Sequence, residues 1–511
     1  MDEIQIVWFK RDLRTHDHRP LVEAARAGSV LPLYIVEPGL WQQPESSLRQ
    51  WRFIGQSLRE LDQSLKALGA PGLIVRHGEA VEVLEQVRQQ FGKAALWSHE
   101  ETGNMWTFSR DAAISRWCRC NNVTWQEYRQ DGVVRRLGNR DGWAAHRDRF
   151  MALDRAPQPA RIQAVAVASE PLPVRPASTL ADDDCPGAQP GGRTAGLMLL
   201  DSFLQQRGLD YARGMSSPLS AADACSRLSP HIAYGTLSMR EVVQAMRQRR
   251  REVKADPALS AWRRPLAAFE ARLAWQSHFM QKLESEPEME WRNLHPAMAD
   301  ERQSVDPEQF TAWAERRTGW PFVDACMRML HHTGWINFRM RAMLAAVACY
   351  HLWQPWREVG LHLARQFIDY EPGIHWSQMQ MQSGSTGINA FRIYNPIKQS
   401  RDQDPEGTFI RQWVPALAQV PDAWIHEPWR MDASLQARSG CRIGRDYPAP
   451  IVDHEAAARE ARARLRAAYR GEDALEASQA VMARHGSRKR RADGGRTGSA
   501  RRNDGQMGLF G

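Results

Sequence analysis

The sequence predicts an N-terminal α/β part built on a doubly wound parallel sheet, followed by an all-α C-terminal part. Three observations lead to this prediction. Short apolar runs alternate with amphipathic stretches over the first 127 residues, a segment rich in Pro, Ala, Gly and Asp follows, and helical periodicity then dominates as far as residue 469. A chain of 511 residues is long enough for two or more domains.

The α/β part is predicted from the order of its elements. Strands are expected at 4–9, 30–36, 73–76, 94–97 and 123–127, and helices at 20–27, 47–68, 79–91 and 106–119. Because helices connect successive strands, the strands should pair in parallel. The G-x-G-x-x-G sequence that marks an ordinary dinucleotide site does not follow the first strand.

Composition divides the chain into four segments. These are an α/β domain at 1–150, a Pro-rich linker at 151–195, a helical domain at 196–483 and a basic tail at 484–511. Helices are expected at 198–206, 238–252, 262–284, 308–315, 321–332, 338–352, 357–367 and 454–469. The tail has eight Lys and Arg against two Asp and therefore carries +6 of the net charge of +9, and we expect it to be disordered.

Composition also argues against several classes of protein. No run of 18 uncharged apolar residues is present, and the start M-D-E-I-Q-I does not resemble a signal peptide, so we expect a cytoplasmic protein with no membrane partner. The seven Cys are scattered, and Cys118-x-Cys120 is too close-set for a usual zinc pair. We therefore expect no disulfide framework, no structural metal and no iron–sulfur cluster.

A short polar run before a predicted helix is a candidate anion site. It comprises Ser226, Arg227, Leu228 and Ser229, with Tyr211 upstream. Backbone N–H groups and hydroxyls at a helix start bind anions, and an Arg adds charge. Because S-x-x-S followed by Pro is also an ordinary helix cap, the sequence leaves both interpretations open.

The stretch 333–396 carries aromatic, amide and charged residues at positions where helical periodicity predicts burial. Arg341 and Asp369 are expected in separate helices with apolar surroundings, where buried opposite charges need each other. They form either a structural ion pair or a pair that binds a polar ring edge. Asn395-Pro396 is expected to end the regular structure, because the residue before proline avoids the helical region.

Several long motifs together resemble the DNA photolyase/cryptochrome family, from residue 4 to about residue 470. They are V-W-F-K-R-D-L-R-T-H-D at 7–17, S-R-L-S at 226–229, T-G-W-P-F-V-D-A-C-M-R at 318–328, T-G-W-I-N-F-R-M-R at 333–341, P-W-R-E at 355–358, F-R-I-Y-N-P at 391–396 and P-E-G-T-F-I-R-Q-W-V-P at 405–415. Their common order makes a chance match improbable.

The resemblance implies a helical domain that binds FAD and an N-terminal antenna domain that holds a second chromophore of unknown identity or none. It assigns residues to the FAD pocket: the phosphate-binding positions Tyr211, Ser226, Arg227, Leu228 and Ser229, the ring ion pair Arg341 and Asp369, and also Phe338 and Glu371. In the repair enzymes of the family, a photoexcited reduced flavin gives an electron to a dimerised pyrimidine flipped out of UV-damaged DNA.

The lesion-binding residues depart from the family pattern. Where the repair enzymes for cyclobutane dimers have Glu-x-x-Trp-Arg, this chain keeps Trp275 but has Arg272 and Gln276. An Arg still donates to a pyrimidine carbonyl, so these three residues are the candidate catalytic residues, together with His375. The His pair of the enzymes that repair six-four photoproducts is replaced by Phe338 and Ala342.

The electron supply departs as well. Of the three Trp that carry electrons in much of the family, Trp356 matches one, whereas Met379 or Gln380 stands at the innermost position. We expect another route, through Trp376 or Trp353. The residue beside the flavin N5 atom, which is Asn in many repair enzymes, should be either His375 or Trp376.

Two main functions follow from these residues. The leading one is light-driven repair of DNA pyrimidine dimers, and the alternative is a cryptochrome-type blue-light receptor without repair activity. A third is a light-independent nucleic-acid binding protein that keeps FAD for structure.

The tail peptide Gln506-Met507-Gly508-Leu509-Phe510 resembles the Q-x-x-L-F peptide that docks to the bacterial sliding clamp, so we expect the clamp as a partner of Gln506, Leu509 and Phe510. The alternative is a non-specific basic arm that raises DNA affinity.

Overall fold

A computed structural model describes residues 3–298, 302–387 and 391–486. Its N-terminal part contains one sheet, with the strands β1 (Ile4–Phe9), β2 (Val30–Val36), β3 (Ile74–His77), β4 (Ala94–His99) and β5 (Thr124–Tyr128). The strands pair in parallel in the order β3-β2-β1-β4-β5. The order reverses between β1 and β4, which confirms the predicted doubly wound sheet.

Six helices accompany this sheet: α1 (Arg19–Ala27), α2 (Pro38–Trp41), α3 (Leu48–Ala67), α4 (Ala80–Phe91), α5 (Met105–Cys120) and α6 (Trp143–Ala152). Apolar side chains are buried on both sides of the central strand, with Val7 and Phe9 in one cluster and Ile6 and Trp8 in another. Alternate residues of a strand point to opposite faces, so β1 is apolar at five of its six positions. The exception is the buried Gln5, whose side-chain oxygen accepts the Trp97 indole N–H (2.8 Å).

The C-terminal part is helical, as predicted. Its helices are α7 (Arg193–Gln205), α8 (Tyr211–Gly214), α9 (Pro218–Ala224), α10 (Ser229–Ala233), α11 (Met239–Ala255), α12 (Arg263–Ser285), α13 (Pro307–Ala314), α14 (Pro321–Thr333), α15 (Phe338–Ala346), α16 (Trp356–Gln366), α17 (Pro372–Ser383), α18 (Pro396–Gln403), α19 (Thr408–Trp413), α20 (Ala433–Arg438), α21 (His454–Ala468) and α22 (Glu472–His485). A π-helical turn, Val347–His351, extends α15. No helix in the described ranges is long and apolar enough to cross a membrane.

The structure differs from the sequence-based expectation at several helices that the periodicity did not predict, among them α17, and at three further points. Asn395 and Pro396 begin α18 instead of ending regular structure, because the Asn395 side chain accepts the Lys398 N–H (2.9 Å) and Pro suits the first turn of a helix. Asp369 lies in the turn between α16 and α17, not in a helix. The periodicity did not predict α22, which continues through Arg484 and His485 into the predicted tail.

The two parts of the chain meet at a polar seam. Arg11, just after β1, donates to the backbone carbonyls of Ala233 (2.9 Å) and Tyr370 (2.9 Å). Asp17 forms a buried ion pair with Arg240 on α11. The stretch 153–192 contains no helix or strand and passes the start of β2, where Val165 N–H donates to the Val30 carbonyl (2.9 Å). These contacts fix the segment before α17 against the sheet.

Candidate functional site

A single large cavity of about 1210 Å³ lies within the helical part. Thirteen of the candidate residues line it: Tyr211, Ser226, Arg227, Leu228, Ser229, Arg272, Trp275, Gln276, Phe338, Arg341, Asp369, Glu371 and His375. They come from five segments of the chain between positions 211 and 375. The fold therefore gathers them around one ligand-sized space.

The short polar run forms one end of this cavity. Its helix α10 has Leu228 at the N-cap position and no capping side chain, so the two Ser do not act as an ordinary helix cap. Arg227 has a left-handed backbone (φ 60°), and its guanidinium lies 4.2 Å from the Trp335 ring. A left-handed backbone conformation costs free energy in any residue other than glycine. Such strained residues occur often at ligand-binding sites.

An ion pair forms another part of the cavity wall. The Arg341 guanidinium donates to both carboxylate oxygens of Asp369, at 3.0 and 2.9 Å, and its Nε donates to the Ile336 carbonyl (2.7 Å). The Asp369 side chain is only 3% exposed. Such a bidentate pair fixes the orientation of both groups at the cavity surface.

Several buried polar atoms of the lining have no partner among the described residues. They are Asn337 Oδ1, Glu371 Oε1, Gln382 Oε1 and Arg227 Nε. An unpaired buried polar atom costs about 1–3 kcal/mol, so these atoms indicate a polar ligand in the cavity. Sequence reasoning did not single out Asn337, although it lies within the motif T-G-W-I-N-F-R. Its Nδ2 donates to the carbonyls of Met215 (3.0 Å) and Ser216 (2.7 Å), which fixes the side chain.

The cavity is positively charged. Its lining contains six cations, Arg227, Arg272, Arg339, Arg341, Arg392 and Lys398, against the carboxylates of Asp369 and Glu371. Burial raises the pKa of Glu371 to about 7, although the Arg11 guanidinium 3.1 Å away opposes this shift. The arrangement suits an anionic ligand.

A stacked pair on α12 forms another part of the wall. The Arg272 guanidinium lies 4.4 Å from the centre of the Trp275 ring, within the range of a cation–π interaction. Arg272 also lies 3.9 Å from the Met215 sulfur. Gln276, one residue further, contacts the sulfur of Met280 (2.5 Å). The pair offers a flat aromatic face and a charged donor side by side.

His375 lines the cavity from α17, whereas Trp376 lies behind it. The Nε2 atom of His375 lies 2.9 Å from the Gly360 carbonyl oxygen. Because a carbonyl only accepts, Nε2 carries the proton and Nδ1 is an acceptor. Burial lowers the pKa of His375 to about 4, so the imidazole is neutral near pH 7.

This burial predicts an acid-dependent loss of stability. An imidazole whose pKa is lowered in the folded state stabilises the fold fully above its unfolded pKa of about 6.5, and this contribution is lost as the pH falls through about 4. We expect the difference in unfolding free energy between the protein and His375→Asn to shrink by about 2 kcal/mol between about pH 7 and pH 4.5. Urea unfolding at both pH values measures it, and a difference that is independent of pH would contradict the assignment.

Trp376 is fully buried and contacts two aromatic rings. Its ring centre lies 4.9 Å from that of His375 and 5.9 Å from that of Trp356. The Trp356 indole N–H donates to Asn293 Oδ1 (2.6 Å). Neither Trp lines the cavity, so together they extend from its wall away from the ligand space.

Comparison with known proteins agrees with this geometry. Residues 5–137 match the family model described as DNA photolyase, and residues 269–467 match the model described as the FAD binding domain of DNA photolyase. A deoxyribodipyrimidine photo-lyase of Streptomyces griseus is 32% identical over 489 residues, covering 90% of this chain and 99% of the relative. The chain belongs to the photolyase/cryptochrome family.

Members with different roles are similar to this chain. Cryptochrome-2 of Arabidopsis thaliana is 29% identical over 486 residues, covering 89% of this chain and 78% of the relative. The crystal structure of a bacterial class III photolyase from Agrobacterium tumefaciens superposes with a TM-score of 0.80 at 26% identity, covering 92% of this chain and 98% of that one. The relatives of this chain therefore include both photolyases and cryptochromes.

The residues that depart from the pattern of the photolyase/cryptochrome family face the same cavity. Phe338, at one position of the missing His pair, is 37% exposed, and Ala342 at the other position is buried. An aromatic ring and a methyl group offer no proton for acid catalysis. The cavity of this family member is thus more apolar at that point than a His pair would make it.

The sheet domain of this family member contains one cluster with metal-ligand geometry among the described residues. It consists of the buried side chains of Asp12, His18 and His99. Asp12 Oδ2 lies 2.9 Å from His18 Nε2 and 2.8 Å from His99 Nδ1. Because His18 Nδ1 accepts the Leu21 N–H, Nε2 carries the proton and donates to Asp12. Hydrogen bonds account for this cluster, and the expected absence of a metal stays a prediction.

Proposed function

We propose that this chain is an FAD-dependent, blue-light-driven DNA photolyase that repairs UV-induced pyrimidine dimers. The observation that carries the proposal is the position of Trp275 and Arg272 in the same cavity as the ion pair of Arg341 and Asp369. One cavity then contains both a face on which a base can stack and a wall that can bind the flavin.

The cavity residues fit FAD. Ser226, Arg227 and Ser229 would hold the phosphates, and Arg341 with Asp369 would hold the polar edge of the flavin ring. The unpaired oxygens of Asn337 and Gln382 would accept hydrogen bonds from the cofactor. When bound and reduced, FAD would supply after light absorption the electron that splits the dimer, and would take that electron back.

The substrate end of the cavity would bind a flipped-out dimer. Trp275 stacks on the extruded bases, which have π-faces whatever their sequence. Arg272, held beside Trp275, donates to a pyrimidine carbonyl and stabilises negative charge that develops there. Gln276 provides a further amide in the same wall.

His375 would stand beside the redox-active part of the flavin ring. Its Nδ1 atom is an acceptor, since Nε2–H is bound to Gly360. It could therefore only accept a hydrogen bond from the cofactor, whereas an Asn at this position presents either a donor or an acceptor.

Electrons would reach the cavity through Trp376 and Trp356. The two rings are in contact, and Trp376 adjoins His375 in the cavity wall. Trp353 is a poorer carrier, because the guanidinium groups of Arg302 and Arg464 lie 4.3 and 4.9 Å from its ring and oppose a second positive charge.

Replacing Trp376 tests this route. We expect Trp376→Phe to slow the photoreduction of bound FAD by an external reductant at least about tenfold, because Phe is far harder to oxidise than Trp. Transient absorption and steady-state photoreduction measure the effect. Trp313→Phe, at another fully buried Trp, is the matched control. Unimpaired photoreduction in Trp376→Phe would contradict electron transfer through Trp376.

A second chromophore in the N-terminal domain stays a prediction. Ligands of doubly wound sheets bind where the strand order reverses, which here is the crevice after β1 and β4. That crevice has a volume of about 90 Å³, and Arg110 crosses it to pair with Glu37 (2.8 Å) and Glu101 (2.6 Å). A planar chromophore would have to displace these side chains.

UV-damaged DNA is the proposed partner, and the protein would act in the cytoplasm. Gln506, Leu509 and Phe510 lie outside the described residues, so docking to a sliding clamp stays a prediction from the sequence.

A cryptochrome-type receptor without repair activity is the second candidate. The replacements Arg272, Gln276, Phe338 and Ala342 favour it, because they remove the Glu and the Arg of the cyclobutane-dimer motif and the His pair of the six-four enzymes. The discriminating experiment exposes the reduced holoprotein to blue light with duplexes that contain one cyclobutane dimer or one six-four product. Recovery of intact pyrimidines from either lesion supports repair, whereas photoreduction of FAD without recovery supports the receptor.

A further inference from the structure

A second hollow lies beside the large cavity, between α21 and the segment 391–395. Its volume is about 220 Å³, and its lining includes Tyr394, Asn395, His351 and Arg462. Tyr394 and Asn395 also line the large cavity, so the two spaces share a wall. The hollow therefore lies next to the cavity that we assign to FAD and the lesion.

His351 is the most unusual residue of the hollow. It belongs to the π-helical turn that packs against α21, and it is only 5% exposed. Neither of its ring nitrogens has a hydrogen-bond partner among the described residues. A buried imidazole with two unpaired nitrogens is costly, so a ligand that fills the hollow would remove this cost.

The charges around the hollow indicate the kind of ligand. Its lining includes His454, Arg459 and Arg462 together with one carboxylate, Glu455. Within the part of the chain that the structure describes, Arg459 and Arg462 form no ion pair with any carboxylate, and both are exposed. Two guanidinium groups that line one hollow with an imidazole suit an oxyanion, because each Arg can donate two parallel hydrogen bonds.

We propose that this hollow is a phosphate-binding site in which Arg459 and Arg462 bind the phosphate oxygens and His351 donates a hydrogen bond. The source of the phosphate rests on the proposed function: because the two spaces share a wall, the ligand would be a backbone phosphate of the DNA strand that flanks the flipped-out dimer. A free phosphate or mononucleotide offers the same chemistry.

The test uses full-length holoprotein in three variants. Arg459→Gln/Arg462→Gln removes the rim charges at exposed positions, and His351→Phe keeps a ring of similar shape without nitrogens. Arg116→Gln/Arg119→Gln is the matched control, because it removes two exposed Arg with the same spacing from α5. Binding of undamaged and dimer-containing duplexes is measured at several salt concentrations, and the thermal stability is measured with inorganic phosphate or mononucleotide against chloride of equal ionic strength.

We expect the Arg459→Gln/Arg462→Gln variant to bind both duplexes about tenfold more weakly and with a salt dependence shallower by about one unit, whereas the control changes little. His351→Phe should weaken binding less. Stabilisation by phosphate or mononucleotide that the variants lose, with unchanged duplex binding, would support the site with a free ligand as its source. Equal behaviour of the rim variant and the control in every measurement would overturn the proposal.

These outcomes are separate from repair. Binding of undamaged duplex and of inorganic phosphate requires neither light nor a lesion. A protein that repairs no dimer, but loses duplex affinity in the rim variant, would contradict the proposed function and keep the phosphate site.

Discussion

Asp369→Asn is expected to yield a protein that purifies with little FAD and is less stable by roughly 3 kcal/mol. The change leaves the Arg341 guanidinium, which donates to both Asp369 oxygens, without its counter-charge in a largely buried site. It also replaces one of the two carboxylate acceptors that we assign to the flavin ring edge by an NH2 donor. The absorbance ratio of flavin to protein and urea unfolding of the apoprotein measure the two effects.

Glu315→Gln is the matched control for this prediction. Glu315 pairs with Arg317 at 2.5 Å, but both side chains are more than half exposed, at 54% and 56%. Exposed pairs contribute about 0–1 kcal/mol, so FAD content and stability should stay nearly unchanged. Full FAD content in Asp369→Asn would contradict the assignment of the ion pair to the cofactor.

Trp275→Ala is expected to reduce the preference for dimer-containing DNA about thirtyfold. Stacking of a base on an aromatic side chain contributes about 1–3 kcal/mol, and about 1.4 kcal/mol corresponds to a factor of ten in affinity. The affinity for undamaged DNA should change little, since no base is then extruded into the cavity. Equilibrium binding of matched duplexes with and without one dimer measures the ratio.

Trp291→Ala controls for the loss of a partly exposed Trp, since Trp291 is 37% exposed and does not line the large cavity. It should keep the preference for dimers. An unchanged preference in Trp275→Ala would show that α12 does not contact the lesion, which would favour the receptor.

Much of the fold follows from local sequence signals. Strand β1 is apolar at every position except Gln5 because both of its faces are buried, and this pattern predicts its bounds as 4–9 without reference to other strands. Helix α17 was harder, because its sequence P-G-I-H-W-S-Q-M-Q-M-Q-S is polar on several sides. Its amides bond to neighbouring backbone, as Gln380 does to Met289 (2.8 Å), and tertiary contacts of this kind leave no periodic signal.

The candidate site was predictable in part. Motif positions identified Arg341 and Asp369, but no spacing rule gives the turn that holds Asp369 or the choice between His375 and Trp376 at the cavity wall. The phosphate hollow depends on a pairing of α21 with the turn that contains His351, about 100 residues apart in the chain. Such long-range contacts arise from packing, so only the structure reveals them.

Counting repaired dimers per bound FAD under blue light tests the central claim most directly. The holoprotein is photoreduced and mixed with an excess of dimer-containing duplex, and intact pyrimidines are counted in the light and in the dark. A returned electron makes each FAD catalytic, so we expect many repaired dimers per FAD in the light and none in the dark. The account would be contradicted if neither cyclobutane nor six-four lesions were repaired while the flavin remained reduced and the duplex remained bound.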